Sequence, residues 1–362
     1  MPPSPFPTYL QMRERVPPRI WSAARLVGLV TAAAVVVALF VDPPLGLLIF
    51  WGLIVPALPL LFFLAPGLWR NVCPMATLNQ APRRFGFTHA LTMPTWFREY
   101  GYVIGVALFL AIVPARKLIF DESGPALGSL IVACLAAAFV GGLLLKGKSG
   151  WCSTMCPLLP VQRLYGQTPF LTVRNAHCRP CVGCVKNCYD FNPAAAYMAD
   201  LYDTDPHRGG YRKFFAAAFP GLVVAFYAVE GAPARSALET YAQFASLLLL
   251  SAGSFYLLTT FLKVTAIKIT TVYAAAALDL YYWFSLPIFA DRLHAASGLS
   301  IPQELVWALQ GAIVALTALW IVRTFRKETP FVEQAVAPRP ARVASGETLA
   351  RLRAAPEPTH RP

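Results

Sequence analysis

Cys178, Cys181, Cys184 and Cys188 stand at C-x2-C-x2-C-x3-C spacing, and that spacing predicts a thiolate run for an iron–sulfur cubane. Two-residue intervals let a tight loop wrap several corners of one cluster. Pro180 and Gly183 suit such a loop, which needs unusual backbone angles and close approach. A structural zinc site is the competing reading, but zinc favours two C-x2-C pairs with a long connection between them. The fourth corner has two candidates. Either the run closes the cluster itself, or its first three thiols borrow Cys156 and the x3 step carries Cys188 away.

Three further cysteines lie beside prolines or tryptophans. Trp69-Arg-Asn-Val-Cys73-Pro74 closes downstream with Arg84-Phe85-Gly86, and Trp151-Cys152-Ser-Thr-Met-Cys156-Pro157 closes with Leu164-Tyr165-Gly166. The two Cys-Pro pairs predict a duplicated helical hairpin whose elbows face one another. Cys73, Cys152 and Cys156 are therefore candidates for cluster ligation, a soft-metal site or redox thiols, since thiolates also select Cu(I) and zinc. The eighth cysteine, Cys134, sits among Ala and Leu and reads as a small core hydrophobe. A second all-cysteine cubane lacks one ligand, so it would need His177 or Asp190, and one [4Fe–4S] cluster is the expectation.

The elements that must position these thiols are membrane helices. The chain is 57% hydrophobic and 14% charged, with net charge +13, and its mean hydropathy is +0.53. That composition predicts an all-α integral membrane protein with a small cytoplasmic ferredoxin-like loop segment. Eight stretches are long enough to span: 22–41, 45–66, 101–119, 126–145, 214–230, 238–262, 267–290 and 304–322. With the N-terminus inside, every basic residue but Arg116, Lys117, Arg235 and Arg292 falls on the inner side. The positive-inside rule then puts both termini in the cytoplasm. The first span has basic residues before it and no small-residue cleavage site after it, so it reads as a retained anchor. The chain divides into an N-terminal arm (1–21), a four-helix region with the duplicated hairpin (22–145), a cytoplasmic iron–sulfur segment (146–213), a second four-helix region (214–327) and a tail (328–362) expected to be disordered. Asp279, inside the seventh predicted span, is a costly place for a carboxylate. It reads either as a proton or quinone group, with Gln243 or Gln310 as partner, or as a neutral bond between helices.

Trp-Cys-x3-Cys-Pro at a helix end followed by a C-x2-C-x2-C-x3-C run resembles a group of polytopic membrane iron–sulfur proteins. That group includes the membrane ferredoxin subunit of periplasmic nitrate reductase systems, the regulator of nitrous oxide reductase maturation, and the oxidase-assembly iron–sulfur proteins. The likeness covers roughly residues 45 to 195. Here the first elbow keeps one cysteine, there is a single ferredoxin run, and Tyr189 follows its last cysteine. The resemblance implies a bacterial inner-membrane protein that passes single electrons to or from a respiratory enzyme system or its quinone pool. Copper reduction or assembly and cluster-based redox sensing are the alternatives, and an electron carrier is favoured over an enzyme with its own small substrate. No C-x-x-C-H, intramembrane histidine pair or G-x-G-x-x-G is present, so haem, flavin and nucleotide are not expected. The partners expected are the bilayer and a redox protein, with no nucleic acid.

Overall fold

The computed structural model describes residues 16–148, 150–173, 176–177, 189–190, 193–202, 206–231 and 236–336. Among them the chain is helical, with one isolated parallel bridge between Leu91 and Leu145 and no strand. The helices are Pro18–Val41 (α1), Pro43–Leu64 (α2), Pro66–Val72 (α3), Pro74–Arg84 (α4), Thr95–Ala115 (α5), Gly124–Leu144 (α6), Leu159–Tyr165 (α7), Pro193–Leu201 (α8), Pro206–Ala228 (α9), Ala237–Leu262 (α10), Ala266–Ser297 (α11) and Gln303–Val336 (α12). Among the described residues, those up to Phe325 form one compact unit and those from Arg326 belong to another.

Local chemistry sets many of the boundaries. Proline occupies the first helical position of α1, α2, α3 and α4, where its missing N–H costs nothing. Asp42 caps α2 by accepting from the Leu45 N–H, and Ser236 with Glu239 forms a reciprocal capping box on α10. Inside α2, Tyr282 of α11 replaces a rung of the helical ladder. Its hydroxyl donates to Pro56 O at 2.7 Å and accepts from Leu60 N at 3.0 Å, so both backbone groups stay satisfied.

Seven described helices are long and apolar enough to cross a bilayer: α1, α2, Glu99–Phe120 (α5 with its π turn), α6, α10, α11 and α12. The eighth expected crossing, 214–230, is helical within α9 but falls outside that set, because Arg212, Lys213, Pro220 and Gly221 dilute its apolar content. Nevertheless α9 runs the length of the bundle. Near its start, Arg212 lies 3.8 Å over the ring of Tyr102. Just past its end, a Cβ at Gly231 would come within 2.3 Å of Lys117 O. Phe215, Ala216, Ala217 and Ala218 along it are buried. Covered by protein, α9 does not need the hydrocarbon-facing surface that a hydropathy window detects.

Two expectations about the edges change. The last helix continues to Val336, past the boundary at 328, because Phe331-Val-Glu-Gln-Ala-Val336 suits a helix and only Pro330 interrupts it. The segment 146–213 is also more structured than a loop, since it carries α7, α8 and the first turns of α9.

Candidate thiol site at the paired Cys-Pro elbows

The first elbow is the break between α3 and α4. Cys73 adopts extended backbone angles (φ −53°, ψ 126°) between Val72 and Pro74, so one helix ends and the next begins on the same residue. The second elbow is a series of turns from Trp151 to Leu158 that leads into α7. Close approach of backbones seats both. On α6, a Cβ at Gly142 would lie 1.7 Å from Asn79 O, so the first elbow rests on α6 at a site that only glycine fits. On α5, a Cβ at Gly105 would lie 3.1 Å from Cys156 O.

The elbows meet in one buried cluster. Cys73, Cys152 and Cys156 pack with Ala76, Ala138, Trp151 and Leu159, and Trp69, Met75, Cys134, Met155 and Leu158 close around them. Four thiols and two thioethers thus share one nest. Cys134 was read as a core residue, and it does pack in a core, but that core is the thiol cluster. Its signal in the sequence was the small-residue stripe Cys134, Ala138, Gly142 at i, i+4, i+8, one helix face. No three metal-binding side chains among the described residues are close enough to hold an ion.

Cys178, Cys181, Cys184 and Cys188 lie outside the described residues. Their described neighbours are fixed to the first elbow. Ala176 N–H donates to Asn71 Oδ1 at 2.7 Å. On the other side, Arg70 forks onto Asp190, with Nη2 at 2.8 Å from Oδ2 and Nε on Oδ1. Lys148 Nζ stands 3.6 Å from the same carboxylate. Arg70 Nη1 also donates to Gln162 Oε1 at 2.9 Å, and the Tyr189 hydroxyl donates to Gln162 O. The Tyr189 ring lies between two guanidiniums, Arg70 at 4.9 Å and Arg163 at 5.8 Å. His177 and Tyr189 are the sequence neighbours of Cys178 and Cys188, so the run leaves and returns at the elbow that carries Cys73.

The electrostatics of this layer are lopsided. Arg70, Lys148, Arg163 and Arg212 are all buried, and they face two buried carboxylates. One is Asp190; the other, Asp200, accepts from Arg163 and Arg212. Burial alone would raise the Asp190 carboxyl, but Arg70 and Lys148 outweigh it and hold the group below the ordinary carboxylate range. Burial, with Lys148 and Arg25 beside it, keeps the His177 imidazole well below its usual value and so neutral. Burial pushes the Cys156 thiol up to about 12 and raises Cys152 further, against the pull of Lys148 and Arg70. Asp190 is committed to two cations and is a poor choice for a metal ligand; none of Arg70, Lys148, Asn71 or Gln162 was singled out in the sequence.

These residues fit a thiolate-ligated cluster. A group of that kind carries net negative charge, and among the described residues the layer holds two more buried cations than carboxylates. The indole N–H groups of Trp69 and Trp151, both beside the thiols, are buried without an acceptor, and sulfur could serve as one. Asp279 lies apart from this layer. Thr317 Oγ1 stands 3.0 Å from both of its carboxylate oxygens, while Gln310 donates to Trp283 O instead. It bonds α11 to α12 through Thr317.

No protein-family model, curated protein or solved structure matches this chain.

Proposed function

We propose that the protein is a membrane-bound iron–sulfur electron carrier of the bacterial inner membrane. It has eight crossings, α9 among them, and both termini in the cytoplasm. A single [4Fe–4S] cluster, held by Cys178, Cys181 and Cys184 with Cys188 or Cys156 at the fourth corner, would supply one-electron transfer. The chain's own residues do the positioning. Arg70, Lys148 and Gln162 hold the downstream flank of the run, Asn71 holds the upstream flank, and the elbow thiols lie beside both. The observation that carries the reading is this pinning of the run's two flanks to the Cys73 elbow inside a layer of excess buried positive charge. The partners are a respiratory redox protein and the lipid-soluble carriers around it.

Anaerobic purification of the full chain tests the reading. It predicts about four irons per chain and a broad visible absorbance bleached by dithionite, both lost in Cys181→Ser. Stoichiometric zinc without iron sinks it.

One observation favours a second reading, a copper-handling assembly factor. Cys73, Cys152 and Cys156 pack in one cluster with Cys134, Met75 and Met155, soft ligand types that Cu(I) selects. Closing them on an ion requires rearrangement, because no three of these thiols stand within coordinating reach. Replacing Cys152 and Cys156 by serine separates the two readings. Loss of copper binding with iron retained supports the copper role, and loss of iron with copper handling retained assigns these thiols to the cluster.

A further inference from the structure

The membrane-embedded part of the molecule contains a cavity of about 260 Å³, close to the lower edge of the roughly 300–1,000 Å³ typical of small-ligand pockets. It is long and narrow in its setting. On α2 alone its walls run from Phe50 to Phe62, a rise of roughly 18 Å along a helix. Its wall includes residues of the sulfur nest, Met75, Cys134 and Leu158. Elsewhere it includes residues of two π turns, Leu48–Ile54 and Arg116–Phe120. There Trp51 Nε1 donates to Phe120 O at 2.8 Å, and the Arg116 guanidinium lies 3.8 Å over the Trp51 ring.

The polar groups on the wall are largely spent. The Tyr165 hydroxyl donates to Ala274 O, and Arg116 is paired with Asp121 and covered by Trp51 and Phe226. A buried water needs two to four polar partners, and an apolar cavity without them stays dry or takes an apolar guest. The π turns are themselves irregular backbone of the kind that proteins keep at working sites.

We infer that this cavity holds a hydrocarbon chain, prenyl or acyl, lying lengthwise from the paired π turns to the sulfur nest, so that its inner end covers Cys134. The shape selects a linear chain over a compact ring, and the surrounding bilayer supplies such chains at high concentration. Occupancy then controls access to the nest from within the membrane. This inference is independent of which metal the thiols hold.

The test uses the full chain in mild detergent. After washing to remove loosely held lipid, solvent extraction and mass spectrometry are expected to recover about one chain-bearing molecule per protein. Leu130→Trp, which fills the cavity from α6, is expected to lower that retention several-fold. In the washed native protein, alkylation of Cys134 by N-ethylmaleimide, followed on its peptide, is expected to slow several-fold when a chain is restored. One arm adds dioleoylphosphatidylglycerol vesicles and the other adds the same vesicles with a prenylated benzoquinone. Slowing in the first identifies an acyl chain, and slowing only in the second a prenyl chain. Alkylation that ignores both additions overturns the inference even if Leu130→Trp fails to fold, as does retention that Leu130→Trp leaves unchanged.

Discussion

The two Cys-Pro elbows do different work. The first contributes one thiol and a set of polar anchors, with Arg70 and Asn71 gripping the flanks of the four-cysteine run. The second contributes two thiols, and its helix α7 offers Gln162 to Arg70 and Arg163 to Asp200. Each elbow is thus tied down by one buried carboxylate, Asp190 for the first and Asp200 for the second. The correspondence extends to position: Asn79 and Gln162 both stand six residues after their Cys-Pro cysteine, and both are buried. The two turns thus divide fastening and thiol supply between them.

The largest effects should come from the two carboxylates. Asp190→Ala strands Arg70 and Lys148, and Asp200→Ala strands Arg163 and Arg212. Unpairing a buried charge costs about 3–5 kcal/mol, so both variants should melt far below the native protein in a detergent thermal scan. Iron content distinguishes them. It should fall in Asp190→Ala, which releases the flank of the run, and hold in the folded fraction of Asp200→Ala. Equal iron loss in both would mean that the elbows are one unit with no division of labour.

Next come the seats. Gly142→Ala drives a methyl to 1.7 Å from Asn79 O, whereas Gly105→Ala meets Thr154 O and Cys156 O at 3.0 and 3.1 Å. Overpacking of the first kind costs about 1–3 kcal/mol, and the second needs only a shift of tenths of an ångström. The midpoint of a denaturant melt should therefore drop clearly for Gly142→Ala and little for Gly105→Ala. A larger drop at Gly105 would place the tighter seat at the second elbow.

Much of this architecture was legible from spacing and hydropathy. Most of the crossings follow from long apolar runs. Trp-x3-Cys-Pro and Trp-Cys-x3-Cys-Pro marked both elbows, because proline disfavours the helical conformation in the residue before it. The stretch 214–230 is helical as far as Ala228, but it is not among the seven helices apolar enough to span. Its packing against α10 and α11 lets it carry charges and a proline that a lipid-facing helix would exclude. Arg70, Lys148 and Gln162 were illegible because their roles depend on partners 120, 42 and 92 residues away, and no local pattern reports such pairings. Cys134 does pack in a core, as its apolar neighbours imply, but that this core also holds Cys73, Cys152 and Cys156 was not legible from those neighbours.

The corresponding amides give a third contrast. Asn79 Nδ2 donates to Ala138 O at 2.8 Å, and its oxygen accepts from Gln80 at 2.7 Å. Asn79→Ala removes two buried hydrogen bonds and leaves the Gln80 amide without its acceptor, a loss of about 1–3 kcal/mol. Gln162→Ala removes one bond from an Arg70 that keeps Asp190, a net loss nearer ~1 kcal/mol. Thermal midpoints should rank in that order.

The smallest stability effects belong to the thiols, and they carry the most chemical information. Trimming Cys73, Cys134 or Cys156 to alanine removes one sulfur from a packed nest, at a cost of about 1 kcal/mol each. All three variants should fold. Their spectra should not agree. If Cys156 closes the fourth corner of the cluster, Cys156→Ala changes the low-temperature electron paramagnetic resonance signal of the dithionite-reduced protein and lowers its iron content. Cys73→Ala and Cys134→Ala leave both unchanged. If Cys188 closes that corner, all three variants keep the native signal and Cys188→Ala alone alters it. In that case the second elbow's extra thiols are free to serve copper, and the division of labour between the elbows lies between two metals instead of within one cluster.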